Sequence, residues 1–410
     1  MKARVIAYNS LKSILMEQGF ANLVLRKNLH GINAKDKGLI TSIVYGTLRN
    51  DRFLKAQYEE FIYKQLPQEV DIVLMMSTYQ LFLMDKIPVY AIVNEAVDLT
   101  KVEFKNVVNA ILRKVCERGI IKIEREDNLT TLAINTSFPD WIIRMWNAHY
   151  GFEITEKIAY DFLKESKVYG RINTILKSKE ELSKDKKIHF IDDIAFTYDD
   201  NLVESNYFKN GEVIIQDISS QQVCKYLDIK DNLEILDCCS APGTKVSQIS
   251  MMMNNTGKII AIDLYKHRVE LISALKRKMR LDNVEAHIID ATTVNIDLNG
   301  KLFDRVLVDA PCSGLGVLKG KPDIKQRVLP EDIDNICILQ KQILNASSKC
   351  LKIGGILVYS TCTLNKKENE KQIEDFISRN PNFLILESLT IFPFENNGDG
   401  FYICKLARQS

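Results

Sequence analysis

Residues 233–245 read LEILDCCSAPGTK, a stretch that decides the fold class of the second half of the chain. An apolar run ends at Asp237, and a loop of small residues leads from it into a helical pattern. This order of strand, loop and helix is typical of a doubly wound α/β sheet, in which ligands bind at the carboxyl ends of the strands. We therefore expect a ligand-binding loop made of Cys239, Ser240, Ala241, Pro242, Gly243, Thr244 and Lys245.

The rest of the second half repeats this rhythm. Short apolar runs alternate with helical patterns such as Lys266–Met279 and Ile333–Leu351, which predicts a parallel sheet. Two further runs, Phe383–Glu387 and Phe401–Leu406, predict an antiparallel addition to that sheet. Residues 211–410 are thus predicted to form one α/β Rossmann-like domain, whose first five strands are Leu233–Cys238, Lys258–Asp263, Val284–Asp290, Arg305–Asp309 and Gly355–Ser360.

Residues 1 to about 120 read as helices throughout, and the charged stretch 117–126 follows them as a linker. Apolar residues recur at helical spacing, Asp36 is placed to cap one helix, and Pro88 is placed to begin another. Residues 1–60 carry ten Lys or Arg against five Asp or Glu. Such an excess favours a phosphate-rich partner, although a solvated helix face would carry it equally well. We predict an all-α bundle domain over residues 1–125.

Residues 126–210 mix the two patterns. Phe138–Trp141 starts an amphipathic helix, whereas Gly170–Leu176 and Ile188–Tyr198 are strand-like. We predict a linker and a small α+β subdomain of ferredoxin or RRM type over this range.

The composition bounds the class of protein. The 410 residues have a net charge of +2 and are 46% hydrophobic, as in a soluble globular protein of two or three domains. The nine cysteines include no CxxC pair, so we expect neither a zinc site nor a disulfide framework. The longest apolar stretch, residues 72–84, contains polar residues and is too short to cross a bilayer. These features predict a cytoplasmic protein without a metal or a membrane segment.

Acidic side chains end four successive predicted strands: Asp237, Asp263, Asp290 and Asp309. Asp263 follows Gly243 by about 20 residues, the place where a carboxylate commonly holds a ribose hydroxyl pair. We expect Asp290 to contact an adenine. Because the loop lacks both the G-x-G-x-x-G spacing and the Walker spacing, the pattern favours a nucleoside cofactor without phosphate, S-adenosylmethionine.

Two cysteines each follow a predicted strand. Cys312 lies in DAPCSG at residues 309–314, and Cys362 lies in YSTCT at residues 359–363. Thiols at two strand ends suit a nucleophile and a second thiol that helps to complete the reaction. The physical argument alone does not assign which thiol has which role. Most of the other seven cysteines are predicted to be small buried hydrophobes.

These motifs resemble those of the RNA cytosine-5 methyltransferases. The resemblance rests on DAPCSG at 309–314, KPDIK at 321–325, STCT at 360–363, QDISSQ at 216–221 and DGFY at 399–402. The helical part resembles NusB-like RNA-binding domains in residues 36–49, 79–81 and 108–113. The fusion of the two is the signature of the bacterial RsmB (Sun, Fmu) subfamily, and the resemblance covers nearly the whole chain.

The resemblance implies a class I methyltransferase domain that transfers a methyl group from S-adenosylmethionine to C5 of a cytosine in 16S rRNA, at position 967 in the usual bacterial numbering. It implies that Cys362 attacks C6 of the base and that Cys312 assists proton removal or enzyme release. Asp309 resembles the residue that hydrogen-bonds the target base. Lys245 resembles one that contacts the base, with an exposed first-turn lysine as the structural alternative. Arg268 is also expected to contact the cofactor.

The expected partner is 16S rRNA, either unassembled or in an early small-subunit intermediate, and we expect the enzyme to be a monomer. Arg171 and Asn173 lie on a predicted strand, where RNA contact and a structural role are equally open. A phosphate-binding face of the helical domain is expected if five arginines cluster in space: Arg4, Arg26, Arg49, Arg52 and Arg113.

Departures from the family pattern and two alternatives remain. Thr244 stands where the family usually has a second glycine, Cys238–Ser240 replaces a more usual small-residue run, and Tyr90 replaces a frequent histidine.

One alternative function is that of a related enzyme that acts on tRNA or on another rRNA cytosine, which the NusB-like domain disfavours. The other is an inactive RNA-binding or assembly factor, which the two retained cysteines and four strand-end aspartates disfavour.

Overall fold

The computed structural model describes residues 3–85 and 87–410, which form two compact units. The first unit comprises the described residues up to Glu165 together with Leu318–Arg327. The second comprises Ser166–Val317 and Val328–Ser410. The predicted domain boundaries near residues 125 and 210 remain a prediction.

The first unit is helical, as the sequence predicts. Helix Gln68–Phe82 is central to the unit, since ten of its fifteen residues are buried, and it packs against helices that present one apolar face each. Three short 3-10 turns, Glu59–Phe61, Val102–Phe104 and Pro322–Gln326, complete the unit. Its α-helices are α1 Ala3–Met16, α2 Ala21–Asn28, α3 Ala34–Arg49, α4 Asp51–Ala56, α5 Gln68–Phe82, α6 Val89–Leu99, α7 Lys105–Arg118, α8 Asn128–Asn135, α9 Asp140–Tyr150 and α10 Phe152–Asp161.

The predicted cap of α3 is wrong, whereas the predicted start of α6 after Pro88 agrees with the structure. An N-cap side chain must reach a backbone N–H of the first turn. The Asn33 side chain does so, accepting a hydrogen bond of 2.9 Å from the backbone N–H of Asp36. Asp36 therefore lies inside the first turn, where its negative charge favours the helix N-terminus.

The segment Leu318–Arg327, which contains the KPDIK motif, is held in the first unit by buried lysines. Lys319 Nζ lies 2.5 Å from Asp161 Oδ2, and both side chains are almost fully buried. Lys325 Nζ lies 2.9 Å from Asp51 Oδ1. Removing one partner of such a buried pair typically costs about 3–5 kcal/mol because the other charge stays buried. The motif therefore has a structural role in the helical unit.

The five arginines expected to bind phosphate differ in whether they contact other residues of the helical unit. Arg4 pairs with Glu95, Arg49 donates to the backbone carbonyl of Lys319, and Arg52 pairs with Asp140. The remaining two of the five, Arg26 and Arg113, are exposed on their helices. Three of the five arginines thus already bind groups within the protein.

The second unit contains a small antiparallel sheet with strand order β2-β3-β1-β4. Its core buries apolar side chains of all four strands. A single helical turn lies between its first two strands, with Ser178 and Glu181 making a capping box at the start of that turn. The elements are β1 Tyr169–Ile172, α11 Lys179–Leu182, β2 Ile188–Phe190, β3 Ala195–Tyr198, α12 Asn206–Lys209 and β4 Val213–Ile215.

The large sheet has the order β10-β11-β9-β8-β5-β6-β7. Strands β5 to β9 are parallel, and β11 runs antiparallel to both β9 and β10, which confirms the predicted antiparallel addition. Its elements are α13 Ile218–Val223, β5 Glu234–Cys238, α14 Thr244–Met252, β6 Lys258–Asp263, α15 Lys266–Met279, β7 Val284–Ile288, α16 Val294–Asp297, β8 Phe303–Asp309, α17 Pro330–Ser348, β9 Leu351–Thr361, α18 Glu370–Arg379, β10 Phe383–Ile391, α19 Pro393–Asn396 and β11 Phe401–Arg408.

The predicted end of one helix is wrong by three residues. The apolar pattern continues to Leu351, but α17 ends at Ser348 and Leu351 already begins β9, where it pairs with Phe303 of β8. An apolar residue suits both a helix face and a buried strand, so the pattern alone does not separate the two. The carboxyl ends of β5, β6, β8 and β9 meet at one edge of the sheet.

Candidate active site

The two cysteines that follow β8 and β9 lie side by side. These strands are parallel neighbours, so their carboxyl ends open onto the same place. Cys312 Sγ lies 3.2 Å from Cys362 Sγ. Both side chains are partly exposed. A planar group that reaches this edge would therefore meet both sulfur atoms.

The thiols of this protein differ in their surroundings. The pKa of Cys312 lies well above its usual range because of its hydrogen bond with Cys362 and because of burial. Cys312 is therefore a protonated thiol at neutral pH. Burial also raises the pKa of Cys224 to about 12 and that of Cys350 to about 11, which makes them inert. Of the seven other cysteines, four are buried and three are partly exposed: Cys116, Cys239 and Cys337.

An ion pair between a buried lysine and a partly exposed aspartate lies at the same edge of the sheet. Lys245 Nζ lies 2.7 Å from Asp309 Oδ2, while Ser360 Oγ donates to Asp309 Oδ1 at 2.8 Å. Burial is the largest single effect on the pKa of Lys245 and lowers it, but the charge and hydrogen bond of Asp309, together with Cys224 and Cys362, raise the pKa overall. Lys245 is only 8% exposed, so the structural alternative of an exposed first-turn lysine is wrong. Both predicted base-contacting residues are thus charged and adjacent.

Backbone hydrogen bonds and one glycine fix the conformation of the loop after β5. The backbone N–H of Ser240 donates to the carbonyl of Ile262 at 2.9 Å, and that of Gly243 donates to the carbonyl of Ser240 at 2.8 Å. Gly243 has a φ of +101°, which a residue with a Cβ rarely adopts. Thr244 begins α14 with helical geometry, so the glycine expected at that position is not needed for the turn.

The remaining predicted cofactor residues fall into two groups. Asp263 Oδ2 accepts from the backbone N–H of Ala241 at 3.3 Å and lies 3.4 Å from Arg268 Nη2, so these residues join the loop to the end of β6. Asp290 is exposed, and its Oδ1 accepts from both the backbone N–H and the hydroxyl of Thr292. The structure thus brings Ala241, Asp263 and Arg268 together, whereas Asp290 makes its hydrogen bonds within its own turn.

Asp237 lies near the end of β5, beside the loop of small residues. Its Oδ2 accepts from Ser240 Oγ at 2.7 Å, but its Oδ1 is buried and has no hydrogen-bond partner among the described residues. Burial raises the pKa of Asp237 to about 7. A buried acceptor at the mouth of a small-residue loop fits a nucleoside cofactor that carries hydroxyl and ammonium donors, as S-adenosylmethionine does.

We expect Asp237 to make the ligand-free protein less stable as the pH rises. Between the ordinary pKa of 3.8 and the folded value of about 7, the unfolded chain has lost this proton while the folded chain retains it, so the free energy of unfolding falls. The full effect is on the order of 4 kcal/mol. Denaturant unfolding between pH 5 and 8 measures the part of this decline that falls between pH 5 and 7, about 3 kcal/mol. Asp237→Asn should flatten the decline, whereas the exposed Asp193→Asn should keep it. An equal decline in Asp237→Asn would contradict this assignment.

The possible RNA contacts Arg171 and Asn173 are structural instead. Arg171 is fully buried and donates to Gln216 Oε1 at 2.6 Å and to Ser247 Oγ at 2.6 Å. Asn173 Nδ2 donates to the backbone carbonyl of Met279 at 2.9 Å. These side chains tie the small sheet to α14 and α15, so neither is available to RNA.

The DGFY motif reinforces the cysteine loops through a close backbone approach. The backbone N–H of Gly400 donates to the carbonyl of Gly316 at 2.7 Å, and that of Gly316 donates to the carbonyl of Cys362 at 2.9 Å. A Cβ on Gly316 would lie 2.1 Å from the carbonyl oxygen of Gly400. Only glycine therefore fits at this position.

Comparison with known proteins decides the family. Residues 224–407 match the family described as 16S rRNA methyltransferase RsmB/F, and residues 1–117 match the NusB family. The chain is 34% identical over 442 residues to the probable ribosomal RNA small subunit methyltransferase B of Bacillus subtilis, covering 99% of this chain and 98% of that protein. The chain belongs to this methyltransferase B family.

Other members and structures agree with this family. The ribosomal RNA small subunit methyltransferase B of Proteus mirabilis is 30% identical over 421 residues, covering 97% of each chain. The crystal structure of PH0851 superimposes with a TM-score of 0.82 at 22% identity, covering 99% of this chain and 98% of that one. That of NSun6 from Pyrococcus horikoshii gives 0.62 at 21% identity, covering 67% and 99%. The two structures show the shared fold.

Membership of the methyltransferase B family confirms several predictions. The protein is an rRNA methyltransferase with a NusB-like domain, and its cofactor is S-adenosylmethionine.

Over the described ranges, no helix is long and apolar enough to span a membrane. The same ranges hold no group of three or more His, Cys, Asp or Glu side chains that could bind a metal ion.

Proposed function

We propose that this enzyme methylates C5 of a cytosine in 16S rRNA and that Cys362 is its covalent nucleophile. The observation that carries the proposal is the separation of 3.2 Å between Cys312 Sγ and Cys362 Sγ beside a charged pair. C5 of cytosine is a poor nucleophile, so the ring must first be activated. A methyl group placed on a ribose oxygen or an exocyclic nitrogen would not need two thiols.

The proposed chemistry balances with the two thiols present. The Cys362 thiolate adds to C6, and the ring electrons make C5 nucleophilic. S-adenosylmethionine supplies the electrophilic methyl group. Solvent water takes the C5 proton, and the electron pair of the C5–H bond restores the C5–C6 double bond. The C6–S bond breaks, and its electron pair returns to the Cys362 sulfur. We assign help with this last stage to Cys312, whose raised pKa keeps it protonated beside the leaving sulfur.

We propose that Lys245 and Asp309 hold the target base. Their ion pair places a negative and a positive group at the end of β8, where the base edge would offer donors and acceptors. Because both side chains are already paired, they hold a fixed arrangement before the base arrives. We therefore expect them to orient the ring rather than to move a proton between themselves.

We propose that S-adenosylmethionine is held by the loop after β5 and by the acidic side chains at the strand ends. Asp237 Oδ1 offers a buried acceptor, and Asp263 is fixed by Arg268 beside the loop. Asp290 keeps its proposed contact with the adenine. The proposed loop contacts are Cys239, Ser240, Ala241, Pro242, Gly243, Thr244 and Lys245.

The finer features of the substrate follow the family resemblance. We propose that the target is cytosine 967 in the usual bacterial numbering and that the RNA is unassembled or in an early small-subunit intermediate. We further propose that the enzyme acts as a monomer in the cytoplasm. A target base in a single-stranded loop, or one pulled out of its stack, is what such chemistry requires.

Labelled S-adenosylmethionine tests the proposal. The enzyme is incubated with protein-free 16S rRNA, with small subunits and with tRNA, and the modified nucleotide is mapped by mass spectrometry. We expect 5-methylcytosine at one position of 16S rRNA, with more label in free rRNA than in mature subunits. Label on another atom of the base, or in tRNA alone, would contradict the proposal.

A further inference from the structure

A buried glutamate lies behind the two cysteines. Glu368 is 0% exposed, although it stands in the polar run KKENEK at residues 366–371. Its Oε1 accepts from Ser313 Oγ at 2.6 Å and from Asn365 Nδ2 at 3.1 Å. Its Oε2 accepts from the backbone N–H of Ser313 at 2.8 Å and from Gln340 Nε2 at 3.3 Å. Burying a carboxylate costs free energy unless hydrogen-bond donors surround it. The four hydrogen bonds therefore indicate that Glu368 fixes the groups that donate to it.

The partners of Glu368 are next to the two thiols along the chain. Ser313 follows Cys312, and Thr363, whose hydroxyl lies 3.4 Å from Glu368 Oε1, follows Cys362. The two hydroxyls, Ser313 Oγ and Thr363 Oγ1, also lie 2.8 Å apart. One carboxylate therefore ties together the loop after β8 and the loop after β9.

The same carboxylate is itself fixed from behind. Gln340 on α17 donates both to Glu368 Oε2 and to the backbone carbonyl of Pro311, at 3.0 Å. Tyr359, fully buried in β9, donates through its hydroxyl to the backbone carbonyl of Glu368 at 2.8 Å. Glu368 thus has little freedom to move away, and the loop on which Cys312 lies is held on both sides of that cysteine.

The negative charge of Glu368 has no positive partner in the described part of the chain, and it acts on the pKa of Cys312. All five of its hydrogen-bond donors are uncharged: a backbone N–H, two hydroxyls and two amides. Burial raises the pKa of Glu368, while these donors lower it. Its negative charge also raises the pKa of Cys312, after the effects of Cys362 and burial. A glutamine would keep the shape of this side chain but would turn an N–H₂ group toward donors.

We infer that Glu368 is a positioning residue that holds the Cys312 thiol against Cys362, so that the covalent RNA adduct is released. The inference rests on the proposed two-cysteine function. Glu368 touches neither RNA nor cofactor in this role; it acts through Ser313 and Thr363. Loosening a reacting group by about 1 Å typically costs on the order of 100-fold in rate.

Glu368→Gln tests the inference. We expect methyl turnover on 16S rRNA to fall by roughly 100-fold, while the fraction of enzyme linked to RNA rises, seen as a gel shift that survives denaturant. Loss of structure would instead lower turnover and adduct together. The matched control is Glu374→Gln, an exposed position on helix α18, which begins two residues after Glu368; this variant should keep wild-type turnover and adduct levels.

Two further variants keep the test decisive. Ser313→Ala removes the 2.6 Å hydrogen bond but no charge, and should raise the adduct fraction less than Glu368→Gln does. Glu368→Asp keeps the charge and should restore part of the turnover. If Glu368→Gln and Ser313→Ala both leave the adduct at the wild-type level, the inference is wrong.

The variant Cys312→Ala separates this inference from the proposed function. If that variant traps RNA and the two variants around Glu368 do not, only the positioning role fails. If Cys312→Ala traps no RNA, the two-cysteine chemistry itself fails, whatever the Glu368 variants do.

Discussion

Replacing Cys362 by alanine is expected to abolish methyl transfer to 16S rRNA and to prevent any covalent link between enzyme and RNA. Cys362 follows β9, where its sulfur lies 3.2 Å from that of Cys312 at the edge opened by two parallel strands. Without a nucleophile at C6, C5 of the base stays unreactive toward the methyl donor. Turnover should fall by roughly 10⁴-fold or more, as for other covalent nucleophiles. Incorporation of labelled methyl groups into RNA measures the loss.

The fold should survive this substitution, and a second cysteine supplies the control. Cys116 is a partly exposed cysteine of the helical unit, so Cys116→Ser should leave turnover unchanged. Binding of S-adenosylmethionine by Cys362→Ala, measured by calorimetry, should match the wild type, since the proposed cofactor residues lie on other loops. Turnover above about 1% of the wild type in Cys362→Ala would rule out its role as the nucleophile.

Replacing Cys312 by alanine is expected to have the opposite effect on the adduct. The first stages need only Cys362, so RNA becomes attached, but the step that releases it loses its thiol. Turnover should fall by roughly 10²–10⁴-fold, the usual contribution of a positioned acid or base. The linked fraction, measured on a denaturing gel, should rise toward one RNA per enzyme.

The double variant orders the two steps. Cys312→Ala combined with Cys362→Ala should show no adduct, because attachment precedes release. If Cys362→Ala traps RNA while Cys312→Ala does not, the two roles are reversed. That result would leave the cytosine chemistry in place and exchange the residues that perform it.

Much of this architecture follows from local sequence. The strand–loop–helix unit around Asp237 and the alternation after it predict a parallel sheet, and the strand ends place Cys312 and Cys362 at one edge. These features are local because strand runs and turns depend on nearby residues. The motifs KPDIK and DGFY were visible too, but their structural roles, holding a segment in the helical unit and approaching the Cys312 loop, were not.

Other features depend on contacts between residues far apart in the chain. Glu368 lies among lysines and asparagines, so its sequence context is typical of an exposed loop, yet it meets a loop more than 50 residues earlier, at Ser313. Arg171 reads equally well as an RNA contact until its buried bonds to Gln216 and Ser247 are known. Lys245 and Asp309 each suit a base contact, and nothing local reveals that they pair with each other.

The central claim is that Cys362 attacks the base, and trapping with a modified substrate tests it in the unaltered enzyme. In RNA that carries 5-fluorocytidine, the fluorine at C5 cannot leave as a proton does, so the adduct formed after methyl transfer persists. Digestion and mass spectrometry then identify the peptide that carries the nucleotide. The account predicts a methylated, fluorinated cytidine on Cys362. A nucleotide on Cys312, or no linked peptide while ordinary RNA is methylated, would contradict it.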